Sequence, residues 1–384
     1  MFRSVIRVAL ALVIFLSQPA QAWLAGYSYR KEITVQSANI DSDLTDFPVY
    51  IDVTSDTDIG GGMTDTTNYY DFRITNSSDT VIPYEVEYFN ITTGTANADI
   101  WAQIDPTAAG GQTLYFYYGK SGDTDGSNAT GVWNANYVGV WHMNDSSGTL
   151  TDSTSNANHG TFGGDLPDIA RGGYISDAQD FDGTNDTVDV GADASLMLTG
   201  AMTLSAWVFS DVNAVADYTI ISKQKSADFG YDLRQDQPSK FLVIVATGAA
   251  TQVYRESLSE YGISQWYHVV GVFDPSTALN IYTNGALDNG TLSASVPASQ
   301  YNNGEAPHIG TRPVSDNDYN GIIDEVRVSN AARSADWIKF EHANLTEADN
   351  ELTWGAEEVT PTAQIILIIS KRMEEEFVFG RLAA

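Results

Sequence analysis

Short runs in which large apolar residues alternate with polar ones, each ended by a turn signal, limit what this chain can build. In FPVYIDV (Phe47–Val53), Val49, Ile51 and Val53 fall on one face, the period of two that belongs to a half-buried strand. Further strand-like runs recur at Met202–Ser210, Tyr218–Gln224, Phe229–Gln235, Lys240–Ala246, Gln265–Asp274 and Leu279–Gly285. The last two, joined by Asp274-Pro275-Ser276, read as a hairpin ending in an Asn-Gly turn. Long stretches of helical period are absent, and turn residues return roughly every ten positions, as in all-β chains. The prediction is an all-β protein of antiparallel sandwiches. A chain of 384 residues has room for about two or three domains with real cores. It contains no cysteine, so its stability must come from core size or bound ions rather than disulfides.

Arg3 and Arg7 precede an apolar run, Val8–Leu16, and Ala20-Gln21-Ala22 supplies small residues for cleavage. This reads as a bacterial-type secretory signal over residues 1–22, too short to span a bilayer. The alternative is that it stays as an anchor. The mature chain would start at Trp23 with no membrane span, in a secreted, periplasmic or cell-surface location. Loss of the two arginines would take the formal charge from −31 to −33. Such a chain repels phosphate backbones and anionic membranes, which excludes nucleic-acid partners, and it attracts divalent cations. The acidic residues are spread along the chain, which also fits an ordinary solvated surface.

Residues 23–133 form a first β-sandwich module. YRKEITV (Tyr29–Val35), FPVYIDV, DFRITNSS (Asp71–Ser78), VIPYEVEYF (Val81–Phe89), ADIWAQI and QTLYFYYG supply its strands. These motifs resemble a bacterial family of unknown function whose members often precede a LamG domain in exported proteins. The resemblance covers nearly the whole module and implies no catalytic residues. Glu85 and Glu87, two apart on a strand, share a face. Such a pair could serve as acid and base in glycoside hydrolysis, or could form a solvent-facing polar edge with Tyr84, Val86 and Tyr88 turned inward. Asp123 and Asp125 read as part of a polar linker.

The second module, residues 137–342, carries VWHMND (Val140–Asp145), DSTSNANHGTF (Asp152–Phe162), QDFDGTNDTVDV (Gln179–Val190) and GIIDEVRVSNAARS (Gly321–Ser334). In this order they resemble the concanavalin A-like LamG family, the laminin G-like jelly rolls. The resemblance implies two consecutive antiparallel β-sandwiches, the second a jelly roll, with Trp141, Trp207 and Trp266 as packing residues. It leaves activity open, because fold does not fix function.

DNDYNGIIDEVR starts like an EF-hand loop, with Asp316, Asp318, Asn320 and Gly321 in place. Arg327 stands where a bidentate Glu belongs and no helical pattern precedes, so that reading fails. The LamG resemblance instead implies a structural calcium (Ca²⁺) held by Asp324 with Asp152, Asn158 and the His159 carbonyl, oxygen donors that calcium accepts. The alternative is that these residues make turns and caps. The five histidines show no zinc spacing. There is no G-x-S-x-G elbow, phosphate loop or nucleophile–base pair, and no E-x-D-x-x-E strand of the kind that glycanases of this class carry; the shorter E-x-D-x-E spacing occurs once, at Glu347–Glu351, outside the strands read above. Asp324 and Glu325, being adjacent, should point to opposite sides of a strand.

The expectation is therefore a non-catalytic binding protein for carbohydrate or a cell-surface glycan or protein, with Tyr261, Tyr301, Asn302 and Tyr319 as ligand contacts. The alternatives are a structural or adhesive surface protein and, less favoured, a glycoside hydrolase. Residues 343–384 hold LTWGAEEV (Leu352–Val359), the usual final strand of such modules, and then a tail read as a docking strand, a disordered segment or an aberrant end.

Overall fold

The computed structural model describes residues 23–361 except 135, 147, 164–167, 214–216, 226, 314–316 and 347–350. The signal segment 1–22, Asp316 and the tail from 362 onward lie outside the described residues.

The first module is a sandwich of six strands: β1 (Tyr29–Val35), β2 (Phe47–Asp56), β3 (Phe72–Asn76), β4 (Tyr84–Thr92), β5 (Thr95–Ile104) and β6 (Gln112–Tyr118). One sheet runs β1-β6-β3 and the other β2-β5-β4, all antiparallel. The alternation read in the sequence places Ile33, Val49, Ile51, Ile100 and Phe116 in the buried core.

The free edge of β1 is closed from far along the chain. Leu352–Trp354 pairs with it (Ile33 opposite Trp354), and Glu358–Val359 pairs with its start (Tyr29 opposite Val359). LTWGAEEV thus completes the first module rather than rejoining the jelly roll. The helix Ala335–Leu345, which the strand-dominated pattern hid, carries the chain across. The Ser334 hydroxyl accepts from the Trp337 N–H at 3.1 Å to cap its N-terminus. Trp337 and Phe340 then pack on Phe47 with centroids 4.9 Å away in each case.

The second module is a jelly roll of two facing sheets. Among the described residues the nine-stranded sheet includes Tyr218–Ser222, Asp232–Asp236, Lys240–Gly248 and Thr251–Ser257. The eight-stranded sheet has Asn320–Ser329 between Met202–Ser210 and Asp177–Asp182, with Tyr137–Trp141 also pairing to it and Trp266–Asp274 beyond. Trp141, Val208, Phe241, Val243, Ile281 and Val326 fill the space between the sheets. Trp207 and Trp266, expected to pack with Trp141, instead face the other side of the eight-stranded sheet. There Trp207 stacks on Tyr174 with centroids 3.3 Å apart. The first module and the helix cover that side, so one buried apolar cluster runs from Ile33 through Trp101, Trp133 and Val140 to Trp207 and Phe340.

Candidate functional site

Two β-bulges face each other across the junction of the modules. On β4 the pairing to β5 slips between Val86 and Tyr88, leaving Glu87 unopposed. On Asn320–Ser329 the pairing to Met202–Ser210 slips between Ser205 and Trp207, which face Arg327 and Asp324. The inserted residue there is Glu325, with φ +50°, a backbone state few non-glycine residues adopt. The extra residue breaks the alternation, so Asp324, Glu325 and Arg327 all point outward toward the first module. The expectation that Asp324 and Glu325 face opposite ways is corrected by this bulge. So is the solvent-facing edge: Glu85 and Glu87 do share a face, but the second module covers it, while Tyr88 is 42% exposed.

His142 sits between the two strands. Its Nδ1 lies 2.7 Å from Glu325 Oε1 and 3.4 Å from Glu87 Oε2, and its Nε2 lies 3.3 Å from Glu85 Oε2. Arg327 donates to Glu325 and to Glu341 of the helix, both at 2.6 Å. Its guanidinium lies 4.5 Å from the centroid of Trp101 and 4.9 Å from that of Trp133. The same two indoles donate to carboxylates, Trp101 to Glu87 at 2.9 Å and Trp133 to Glu85 at 2.6 Å. The Ser153 hydroxyl donates to the other oxygen of Glu85 at 2.6 Å. Every charged group of the cluster is thus provided with a partner, as burial demands.

Burial pulls the His142 pKa down, but the charges of Glu325, Glu87 and Glu85 outweigh it and hold the imidazolium well above the usual range. Burial raises Glu85 and Glu325, yet the His142 charge, joined by Arg327 at Glu325, keeps both below the ordinary carboxylate value. Burial pushes Glu87 well above it despite His142, with Glu325 adding to the rise. Asp324 also rises, through burial and then Glu325. Burial thus favours the protonated forms of Glu87 and Asp324, while the neighbouring cations favour the ionised forms of Glu85 and Glu325.

These shifts set a pH profile. Glu85 and Glu325 stabilise the fold above the ordinary value of 4.5, and that contribution is lost as pH falls through their lowered folded values. The contribution of His142 is complete below 6.5 and is lost as pH rises through its raised folded value. Glu87 and Asp324 favour the fold in acid and lose that preference as pH climbs above their ordinary values. Stability should peak on the acid side of neutrality. Glu87→Gln, which copies the protonated form, should flatten the alkaline decline in a urea-unfolding series from pH 5 to 9. Glu85→Gln should cost about 1–3 kcal/mol at pH 7 by leaving a buried donor poorly paired. Equal profiles for the two variants would contradict the assignment.

Ligating atoms of Glu87, His142 and Glu325 lie within 4.8 Å of one another, the one such trio found among the described residues. The hydrogen bonds favour a proton over a metal here. Glu325 is bound to Arg327, Glu87 to Trp101, and the 2.7 Å contact from His142 to Glu325 is a hydrogen-bond distance.

Of the residues expected to hold calcium, Asp324 lies on the outer face of its sheet and the Asp152 carboxylate is already taken up by donors. Asp152 Oδ1 accepts from the Val140 and Thr154 N–H groups, both at 2.9 Å. Its Oδ2 accepts from the Thr154 hydroxyl at 2.8 Å and the Asn158 N–H at 2.7 Å. Four donors fill the lone pairs a cation would use. The His159 ring takes the Asp152 N–H at 3.0 Å, and the Asn158 carbonyl takes the Trp141 indole at 2.9 Å, toward the inter-sheet core. Asp324 lies on the outer face, accepting from Ile175 N–H at 3.0 Å and Glu325 N–H at 2.8 Å. These hydrogen bonds fold the loop as a web of turns and caps. Of the EF-hand-like residues, Asp318 accepts from Thr311 and from Asn185 N–H, while the Asn320 amide binds the Asp182 carbonyl.

The four expected ligand contacts are also dispersed. Tyr319 is 1% exposed with its hydroxyl 2.9 Å from Ser210 Oγ; it is a core residue, because the hydroxyl has its partner inside. Tyr261 packs on Phe241 and Tyr267 and donates to Asp288 at 2.5 Å. Tyr301 is exposed, and Asn302 accepts from buried Lys223 at 2.9 Å. Burial pulls the Lys223 pKa to about 8. Tyr261 N–H binds Ser239 and Tyr301 N–H binds Ala246, at opposite ends of one strand and so about 20 Å apart. Only Tyr301 and Asn302 remain adjacent on the surface.

His142, Arg327, Glu341, Trp101 and Trp133 were missed in the sequence. The available signal was Asp324, Glu325 and Arg327 packed into an otherwise β-branched strand, since a strand interior rarely carries three charges without partners.

Residues 182–339 match the family model of the concanavalin A-like lectin/glucanases superfamily. Residues 68–158 match that of a domain of unknown function, DUF2341. That match runs past Trp133 through His142 and the Asp152 loop. The chain thus joins a DUF2341 region to a concanavalin A-like domain. No curated protein matches it. Domain 4 of AbnA, a GH43 extracellular arabinanase from Geobacillus stearothermophilus solved with arabinotriose, is similar in structure. Identity is 19% and the TM-score 0.42, covering 54% of this chain and 98% of that one. The binding domain of Paraclostridial Mosquitocidal Protein 1 matches at 13% identity and TM-score 0.43, covering 54% of this chain and 52% of that chain. The binding domain of botulinum neurotoxin serotype D/C matches at 12% identity and TM-score 0.43, covering 55% of this chain and 53% of that one. This chain spans about half the length of those two toxin domains. Among the described residues no helix is long and apolar enough to cross a membrane.

Proposed function

We propose that this chain is an exported, non-catalytic recognition protein that binds carbohydrate, its two sandwiches fixed to each other as one rigid body. One observation carries the reading: the carboxyls of Glu87 and Asp324, raised well above their ordinary range, and of Glu325, lowered from it, are buried away from solvent. A hydrolase needs its acid and its partner carboxylate on either side of a substrate, and here indoles, an imidazolium and a guanidinium occupy that space. Export rests on the Arg3–Ala22 signal pattern. Recognition rests on the match of residues 182–339 to a lectin and glucanase superfamily.

Affinity gel electrophoresis of the chain against a polysaccharide panel tests this, with reducing-sugar release assayed in parallel. The expected outcome is retardation in some gels with no sugar released, unchanged when EDTA replaces calcium, because N–H and O–H donors already occupy Asp152. Released reducing sugar would overturn the non-catalytic reading, and binding lost in EDTA would restore a calcium site. A structural, adhesive role through protein contacts is the second reading, favoured by the core shared between modules; a panel with no retardation would select it.

A further inference from the structure

β3 and β4 are the outermost strands of the two facing sheets of the first module, and the sandwich opens between them into a cleft of about 270 Å³. Its walls are aromatic. Tyr69 stacks on Phe89 with centroids 4.8 Å apart and planes 18° from parallel. Tyr70 and Tyr88 are 38% and 42% exposed, large rings left partly in water. The backbone holds them there at a cost. Tyr69 has φ +58°, an outlier for a bulky residue of the kind that gathers at ligand sites. Asp65 pins the loop by accepting from the N–H groups of Thr67, Asn68 and Tyr70 at 3.1, 3.0 and 3.4 Å. Tyr88 is thrown outward by the bulge at Glu87. The polar lining residues are Asn68, Glu87, Asp125 and Ser127, with the Glu87 carboxyl itself turned to His142 in the junction.

We infer that this cleft is a glycan-binding site of the first module, taking a short stretch of a neutral polysaccharide. The inference rests on the carbohydrate reading above and locates it in the module whose family has no stated function. Tyrosine faces fit the C–H face of a sugar ring, while amide and carboxylate groups accept from its hydroxyls. No lining residue of the cleft is cationic, and a chain of net charge −31 disfavours uronate or sulfated chains. The cleft is preformed by the pinned loop, so little ordering entropy opposes binding.

The full chain is run in native gels containing soluble β-glucan, arabinoxylan or galactomannan, with polygalacturonate as the anionic counterpart. Wild type, Tyr70→Ala/Tyr88→Ala and Tyr301→Ala are compared, with thermal unfolding as the check on folding. Retardation in a neutral gel, weakened about tenfold or more in the double variant and kept in Tyr301→Ala, supports the cleft. Equal retardation of wild type and double variant overturns the cleft and leaves the carbohydrate reading standing. Retardation in polygalacturonate alone overturns the neutral-glycan cleft and leaves the carbohydrate reading standing, whereas no retardation of wild type in any gel overturns both. Should the double variant melt early, Tyr88→Gln alone on the exposed strand gives the same discrimination.

Discussion

Arg327→Ala is expected to lower the stability of the whole chain by about 3–5 kcal/mol, read as a shift of the urea midpoint at pH 7. The guanidinium is 2% exposed on its side chain and bridges Glu325 and Glu341. Removing it strands the Glu341 carboxylate, leaves Glu325 with His142 alone, and strips a flat group from between Trp101 and Trp133. Arg327→Lys should recover less than half of the loss, since an ammonium cannot reproduce the two-sided fork or the stacking. Arg327→Met combined with Glu341→Met should be less harmful than Arg327→Ala, because no charge would be stranded at the helix. A change of under about 0.5 kcal/mol in Arg327→Ala, within the range of ordinary surface substitutions, would show that the junction does not hold the modules.

Ending the chain at Thr346 should be as damaging, although all six strands of the first sandwich and the jelly-roll sheets would remain. The edge of β1 would lose its partners at Ile33 to Val35 and at Tyr29 and Arg30. The Arg30 guanidinium, which lies 2.8 Å from Glu358, would lose one of its carboxylates. Trp354 packs near Phe116 with centroids 6.0 Å apart, so apolar cover would go as well. A loss of at least about 3 kcal/mol follows, comparable to truncating one large core side chain. Amide exchange should rise first in β1 and β6. Unchanged protection of those strands would show that the pairing is incidental.

The strands themselves were legible because alternation in Phe47–Val53 or Gln265–Asp274 reports directly on one buried face. What alternation cannot report is which body buries that face. Glu85 and Glu87 were read as sharing a side, correctly, but as facing water, because nothing local announces a second module lying on top. A bulge is also silent in sequence: one unopposed residue at Glu325 reversed the expected parting of Asp324 and Glu325. Trp207 shows the same limit, since period two gives relative sides and not which side faces the jelly-roll interior. Tyr319 sits in an Asn- and Asp-rich stretch that looks exposed, yet one hydrogen bond to Ser210 lets it enter the core. The expected calcium ligands meet a related limit. Asp152 and Asn158 have oxygen-rich side chains at suitable spacing, but whether donors already fill those oxygens is a matter of loop geometry.

The clasp on β1 has a consequence in time. Gln36 and Thr353, joined by a side-chain hydrogen bond beside it, are 317 positions apart. A growing chain makes about 5–20 residues each second, so β1 waits roughly a quarter to one minute for its edge partner. Throughout that interval the earliest-made sheet presents an open strand edge to its neighbours, the feature that most invites pairing with another chain. For a protein threaded outward from its N-terminus, the first module would emerge first and be finished last.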